Sequence, residues 1–241
     1  EKMLQYSESD ICKRDMKYFE DICKGKHDCL PHFDFDKGGG IEKTVEYELS
    51  ISVKEIHEAA KRLHLSVTAY YLLASALSLA KYNDTDSVML TWNYHGRSDV
   101  SMQHAVGMFI KDYPVVFKFE KGQSIGKITA ELSAQMREGI LHGSVSPFMR
   151  REKRELLCFL YQGDILDQLD SKLLLDIEAA EEETQRTAIE PMEIQLYEEE
   201  GIPQALICYD SGLYKDSSME RFGKIFDDMC ISLSKEGVED R

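Results

Sequence analysis

The chain has 241 residues, with 29 Lys and Arg against 44 Asp and Glu, a formal charge of −15 with neutral histidine. Nucleic-acid phosphates reward a basic surface, so this balance argues against a nucleic-acid partner. With 43% hydrophobic and 30% charged residues, the composition is that of a folded globular protein and excludes the disordered and collagenous classes, while the length suits one large domain, two small ones or one half of a bilobal protein.

Met16, Phe19 and Cys23 fall at helical spacing in DICKRDMKYFEDICKG, which predicts a helix ending near Gly25. The turn-rich PHFDFDKGGG follows, and then Val45, Tyr47, Leu49 and Ile51 alternate with polar residues as on a half-buried strand. Ser52 begins a helix: its hydroxyl can cap the first turn while Glu55 reaches back to the Ser52 backbone, and Ile56, Ala60 and Leu63 mark the buried stripe. His64 and Leu65 close it. Ser66 or Thr68 opens a second helix running to about Tyr82, apolar nearly all round and therefore internal. Asn83-Asp84-Thr85 fits a glycosylation pattern, but it reads as a turn between this helix and a strand.

In SVMLTWNY, Val88, Leu90, Trp92 and Tyr94 alternate with Met89, Thr91 and Asn93, as in a strand covered on both faces, and HGRSD turns the chain. A second strand fits Met108 to Phe119; Pro114 cannot donate to a ladder, so it implies an edge position or an interruption. From Ser124 to His142, Ile125, Ile128, Leu132, Met136 and Ile140 follow a helical repeat that Gly143 ends. ELLCFLY, residues 155 to 161, is a short apolar strand, and the acidic segment from Asp164 to Glu183 is helical or mobile. Two strands, roughly Ala188 to Tyr197 and Pro203 to Tyr209, flank the hairpin EEEGI, and Ser217 with Glu220 repeats the capping-box spacing before a last helix carrying Phe222 and Phe226. Interleaved strands and helices imply an α+β fold, a mixed sheet with helices packed on it.

The longest apolar stretch, Val67 to Ala80, is broken by Thr68, Ser75 and Ser78 and is shorter than the roughly 18 residues of a membrane span. No membrane segment is expected. EKMLQYSESD carries no signal-peptide succession, and a chain beginning at Glu1 reads as cut from something longer. Six cysteines at positions 12, 23, 29, 158, 208 and 230 form no regular framework, so a reduced, cytoplasmic protein is expected.

Four possible metal ligands, Cys23, His27, Cys29 and His32, lie within ten residues, but neither their spacing nor the intervening Gly25 and Pro31 suits zinc. No metal site is expected. KGGGIEKT resembles a phosphate loop only superficially, because Glu42 rather than glycine precedes Lys43 and would repel phosphate. No Gly-x-Ser-x-Gly elbow exists, and none of the seven histidines stands in a doublet or beside a recognisable nucleophile.

The order of features resembles the condensation domains of nonribosomal peptide synthetases. SVTAYYLLASALSLAKYNDTD, SVMLTWNYHGR and VGMFIKDYPVVFKF are similar to that family's helix, its strand ending in Gly-Arg, and its Val-Gly-x-Phe-x-Asn-Thr-x-Pro motif, matched at Val106, Gly107, Phe109 and Pro114, with Lys111 and Asp112 where Asn and Thr are usual. His142 with Pro147 and Phe148 resembles the family's His-Gln-Asp-Tyr-Pro-Phe, with one extra residue between His and Pro. CYDSGLYKDSSMERFGKIFDDM resembles its closing strand, turn and last helix, and DICKRDMKYFEDICKG its linker helix, with Tyr18-Phe19 for the Tyr-Trp pair.

The resemblance covers nearly the whole chain as the C-terminal half of such a domain, one chloramphenicol acetyltransferase-like lobe, with 1–40 as linker helix and turn-rich entry and 41–241 as the lobe. It implies amide formation between carrier-bound aminoacyl or peptidyl thioesters. The partners it implies are an N-terminal condensation lobe and peptidyl carrier proteins, whose phosphopantetheine arms bring the substrate; no cofactor is bound directly. The family's His-His-x-x-x-Asp-Gly occurs nowhere in these residues, so no catalytic residue is assigned and the fragment is expected to be inactive alone. Val106, Gly107, Phe109, Pro114, His142, Pro147 and Phe148 are then tunnel or interlobe candidates. An exposed interlobe face would invite a homodimer. Two other readings stand beside this one: a noncatalytic carrier-docking or domain-docking module, for which Arg150, Arg151, Lys153 and Arg154 are the basic candidate surface, and, more distantly, a coenzyme A-dependent acyltransferase lobe.

Overall fold

The computed structural model describes residues 9–97, 107, 109–143, 156–163 and 186–237. The acidic stretch 164–183 and the basic run 150–154 lie outside the described residues.

Helix α1 spans Asp10–Ile22 behind a Ser9 cap, and strand β1 spans Glu42–Glu48 with every second residue half-buried. Helix α2, Val53–Arg62, carries the complete capping box: Ser52 Oγ accepts from Glu55 N while Glu55 accepts from Ser52 N. His64 adopts φ 55° directly after it, which turns the chain sharply into α3, Val67–Asn83, capped by Ser66. Tyr70 to Ala76 of α3 are all buried, as its all-round apolarity requires, and Asp84 ends the helix in the left-handed conformation. Strands β2 (Ser87–Tyr94) and β3 (Lys111–Lys118) precede α4 (Ile125–His142), capped by Ser124. Strands β4 (Leu157–Gly163), β5 (Met192–Glu199) and β6 (Ile202–Asp210) lead to α5, Asp216–Leu233.

The last helix does not use the Ser217–Glu220 box expected from the sequence. It starts earlier, at Asp216, and its N-cap residue Lys215 offers no side-chain bond. The partner comes from far away: Asp34 Oδ2 accepts from Lys215 N at 2.9 Å. A carboxylate at that end also suits the helix dipole.

The six strands form one sheet in the order β1-β6-β5-β4-β2-β3. The pairs β5–β4 and β4–β2 are parallel and the other three antiparallel, which makes the sheet mixed and the fold α+β. Strand β3 lies at an edge, where Pro114, opposite Thr91, is tolerated. Leu90, Trp92, Val115, Phe159, Ile194 and Ile207 on one sheet face share a core with Ile56 of α2, Leu72 and Leu79 of α3, Phe222 of α5 and Phe19 of α1. The entry segment is built into the sheet, since Asp28 N donates to Ser87 O and Leu157 N donates to Cys29 O. Among the described residues no single helix is long and apolar enough to cross a membrane.

Candidate functional site

Residues from both resemblance motifs meet at the C-terminal end of α4. There the last-turn carbonyls have no intrahelical donors, and β3 supplies two: Lys111 Nζ donates to Gly143 O at 2.7 Å and Tyr113 Oη at 2.5 Å. Half-burial holds the Lys111 ammonium below its ordinary range. His142, the last residue of the helix, has Nδ1 at 2.9 Å from the buried Asp15 carboxylate of α1, and its ring stacks on Tyr18 at 4.2 Å. Glu138 Oε2 lies 3.9 Å from the other ring nitrogen, Nε2. Tyr18 and His142, 124 positions apart by number, are thus in contact, and Phe19 beside Tyr18 stacks on Tyr113 at 5.8 Å.

The loop end of the Val-Gly-x-Phe motif is held by the turn after β2. Arg97 lies over the Phe109 ring at 4.5 Å, and its Nη2 is 3.5 Å from Gly107 O. Gly96 sits at φ 67°, and a Cβ there would lie 1.8 Å from Phe109 O, so only glycine fits this approach. Pro114 is buried within β3. Val106, Pro147 and Phe148 lie outside the described residues.

Beside this cluster opens a largely apolar cavity of about 670 Å³. It sits at the carboxyl ends of the adjacent parallel strands β2 and β4, where Trp92, Tyr94 and Tyr161 line it. Its side walls are the N-terminus of α3, with Ser66 and Thr68, and the last turns of α4, with Met136, Ile140 and Leu141. Ile110 and Leu141 on its rim are 52% and 65% exposed, unusual for side chains of this size and therefore informative. A space of this volume holds a drug-sized apolar group or chain. Trp92 Nε1 is buried without a hydrogen-bond partner among the described residues.

The other sequence candidates take structural parts. His27 Nδ1 is 2.7 Å from Ser87 Oγ, Cys29 Sγ donates to His27 O at 3.4 Å, and His32 Nε2 is 3.7 Å from Asp28, so these groups do not converge. Among the described residues no group of three or more His, Cys, Asp and Glu side chains could hold a metal ion. The triple-glycine loop does bind an anion, but an internal one. The buried Asp210 carboxylate accepts from Gly39 N at 2.6 Å, Gly40 N at 2.8 Å and Gly212 N at 2.7 Å. That acceptor lies 170 residues from Gly40, so no local motif announces it.

Asp15, Tyr113, Ile140 and Tyr161 are site residues that sequence reasoning did not single out. The available signal was weak: Ile140 fell within the helical repeat, and Tyr161 closed an apolar strand pattern.

A family model described as "Condensation domain" matches residues 1–153. No curated protein matches the sequence. Among solved structures, the epimerization domain from the third module of tyrocidine synthetase B is 15% identical, with a TM-score of 0.73 over 97% of this chain and 57% of that one. The first condensation domain of the calcium-dependent antibiotic synthetase, in complex with a substrate analogue, is 14% identical, with a TM-score of 0.72 over 99% of this chain and 57% of that one. The X-domain from teicoplanin biosynthesis is 14% identical, with a TM-score of 0.72 over 97% and 56%. The chain therefore spans a little over half the length of these structures, and at such identities the likeness establishes the fold.

Proposed function

The chain belongs to the condensation-domain family, and from that premise we propose that it is the C-terminal lobe of a domain forming amide bonds between carrier-bound aminoacyl or peptidyl thioesters in nonribosomal peptide synthesis. The observation that carries this reading is the meeting of Lys111, Tyr113 and His142 beside an apolar cavity with an exposed apolar rim. Phosphopantetheine arms arrive on partner carriers as part of the substrate, in the cytoplasm, and the apolar walls suit the substrate groups they bring.

A thioester is already activated, so the contribution asked of this lobe is positional. Holding amine and thioester together replaces a bimolecular encounter by a local one. A water-poor wall limits competing hydrolysis. The histidine that orients or deprotonates the amine belongs in this reading to a preceding lobe carrying His-His-x-x-x-Asp-Gly, and this lobe alone does not turn over. A second reading, a docking module without chemistry, draws on the exposed Ile110, Ile140 and Leu141, since apolar patches mark interaction surfaces.

The test begins with the coding DNA upstream of Glu1. The proposal expects a His-His-x-x-x-Asp-Gly within roughly 200 codons, the span of one lobe. The two-lobe protein, supplied with two loaded carriers, should yield the amide product by mass spectrometry. Carrier binding without product favours the docking module, and a start codon shortly before the Glu1 codon with no such motif between them removes the catalytic reading.

A further inference from the structure

The cavity wall departs from the rest of the protein in its charge. The chain carries 44 acidic residues against 29 basic ones, yet no Asp or Glu is among the described residues that line this space, and Arg137 of α4 is the one lysine or arginine that does. Two carboxylates behind the wall are already engaged: Asp112 accepts from Asn93 Nδ2, and Glu198 Oε1 accepts from Tyr161 Oη at 2.6 Å. Arg137 precedes Ile140 and Leu141 by three and four positions, so the three share one helix face and the guanidinium belongs to the exposed apolar rim. Its side chain is 69% exposed, and among the described residues its one ion-pair contact runs from Nε to Glu138 Oε1 at 3.8 Å, too long for a hydrogen bond. His95 lines the cavity too, and because its Nδ1 accepts from Arg97 N at 3.0 Å, Nε2 carries the ring proton and is a second donor.

An apolar space with a single cation at its mouth and no acid in its wall selects by charge. A guanidinium presents its N–H groups as a planar fork that matches a carboxylate. One such charge is balanced by one carboxylate, whereas a phosphate monoester carries about two and would meet the field of a chain of net charge −15 with the excess. We propose that the cavity takes a molecule with an apolar chain and a carboxylate end: the chain lies against Trp92, Met136 and Ile140, and the carboxylate pairs with Arg137. The inference rests on the cavity being a substrate site; it adds the substrate class, an acyl or side-chain group that keeps a free carboxylate, and the residue that recognises it.

Trp92 is the only tryptophan in the chain and lines the same cavity, so its fluorescence reports occupancy without a label. The probes are octanoate, octanamide and octylammonium, which share the chain length and differ in the charge of the end. The net charge of the protein favours the cation and disfavours the anion, so a preference for octanoate has to come from the site. The expected result is that octanoate binds about five-fold more tightly than octanamide, the scale of a charge-assisted contact at an open rim, and more tightly than octylammonium. In the unmutated chain this preference shrinks as salt is raised, because an exposed ion pair is screened. Arg137→Gln should bind octanamide as before and bring octanoate to equal or weaker binding; the side chain is largely exposed, so the substitution removes no core packing. Octanamide or octylammonium binding as tightly as octanoate in the unmutated chain overturns the assignment of Arg137 and leaves the cavity reading standing, as does a preference that is indifferent to salt or survives Arg137→Gln. Failure of all three probes to perturb Trp92 overturns the cavity reading and this inference together.

Discussion

Gln135 completes the outer edge of β3 by making with Val116 both backbone hydrogen bonds that another strand would make. Its Nε2 donates to Val116 O at 2.8 Å and its Oε1 accepts from Val116 N at 3.0 Å. An edge strand is a template for pairing with another chain, and this one is guarded twice, by the side-chain amide and by Pro114 two residues away. Gln135→Met keeps the length and removes both bonds. It should lower the unfolding free energy by about 1–2 kcal/mol in urea titrations and raise the aggregation rate at equal stability. A variant with unchanged stability and solubility would show that the edge needs no guard.

The glycine loop is held closed by Asp210, and its tolerance for side chains is small. A Cβ at Gly40 would lie 2.3 Å from Gly212 N and 2.7 Å from Asp210 Oδ1. Gly40→Ala should therefore cost about 2–3 kcal/mol through backbone displacement. Asp210→Ala leaves three backbone N–H groups of the loop, Gly39, Gly40 and Gly212, without their acceptor and should cost about as much. Both are read from thermal or urea unfolding. Because the two variants damage one unit, the double variant should lose clearly less than the sum of the singles; strict additivity would mean that the loop and the carboxylate act independently.

Local rules explain what could be read in advance. Alternation in SVMLTWNY, the Ser52–Glu55 box and the α4 repeat were legible because each depends on residues within a turn or two of one another. The strand order and the mixture of parallel and antiparallel pairs were not, since they depend on which segments meet. The Ser217–Glu220 spacing failed for the same reason: Asp34, distant in sequence, had already taken the start of α5. The motif residues Phe109, Pro114 and His142 could be named, but not their environment. Asp15 and Gly143, which hold that region, become partners only once α1 and β3 have packed against α4.

Asp34 also makes an acid-sensitive contact. Burial would raise its carboxyl, but the Lys215 N–H, the Ser218 hydroxyl and the charges of Lys215 and Arg221 outweigh burial and hold it below the ordinary aspartate value of 3.8. A folded-state pKa below the unfolded one means that the native state favours the ionised form. Its stabilisation is complete above that ordinary value and fades as pH falls through the depressed one. Asp34→Asn keeps an oxygen for the Lys215 N–H and removes the charge, so it should cost about 0.3–1 kcal/mol at neutral pH, the scale of a charge at a helix N-terminus, and nothing once the pH is well below the folded-state value. Urea midpoints from pH 7 down to pH 2.5 would show the two curves converging; parallel curves would assign the loss to something other than the charge.

Cys158 is the cysteine whose position most invites a nucleophilic role, and its environment forbids one. It lies on β4 beside the strand that carries Trp92, with Sγ 3.5 Å from Asn93 Oδ1. Burial, reinforced by the Glu193 and Asp112 carboxylates, pushes its thiol up to about 12. The reacting species is the thiolate, and at pH 8 a thiol of that kind supplies about one part in ten thousand. Cys230, fully buried in α5, is also pushed up by burial, whereas Cys23 and Cys29 are half-exposed. Under native conditions at pH 8, iodoacetamide should modify Cys23 and Cys29 while Cys158 and Cys230 stay unmodified until urea unfolds the chain. Peptide mapping by mass spectrometry distinguishes the sites. Modification of Cys158 as fast as Cys23 would require a thiolate that this environment does not support, and would reopen an acyl-acceptor role that the structure argues against.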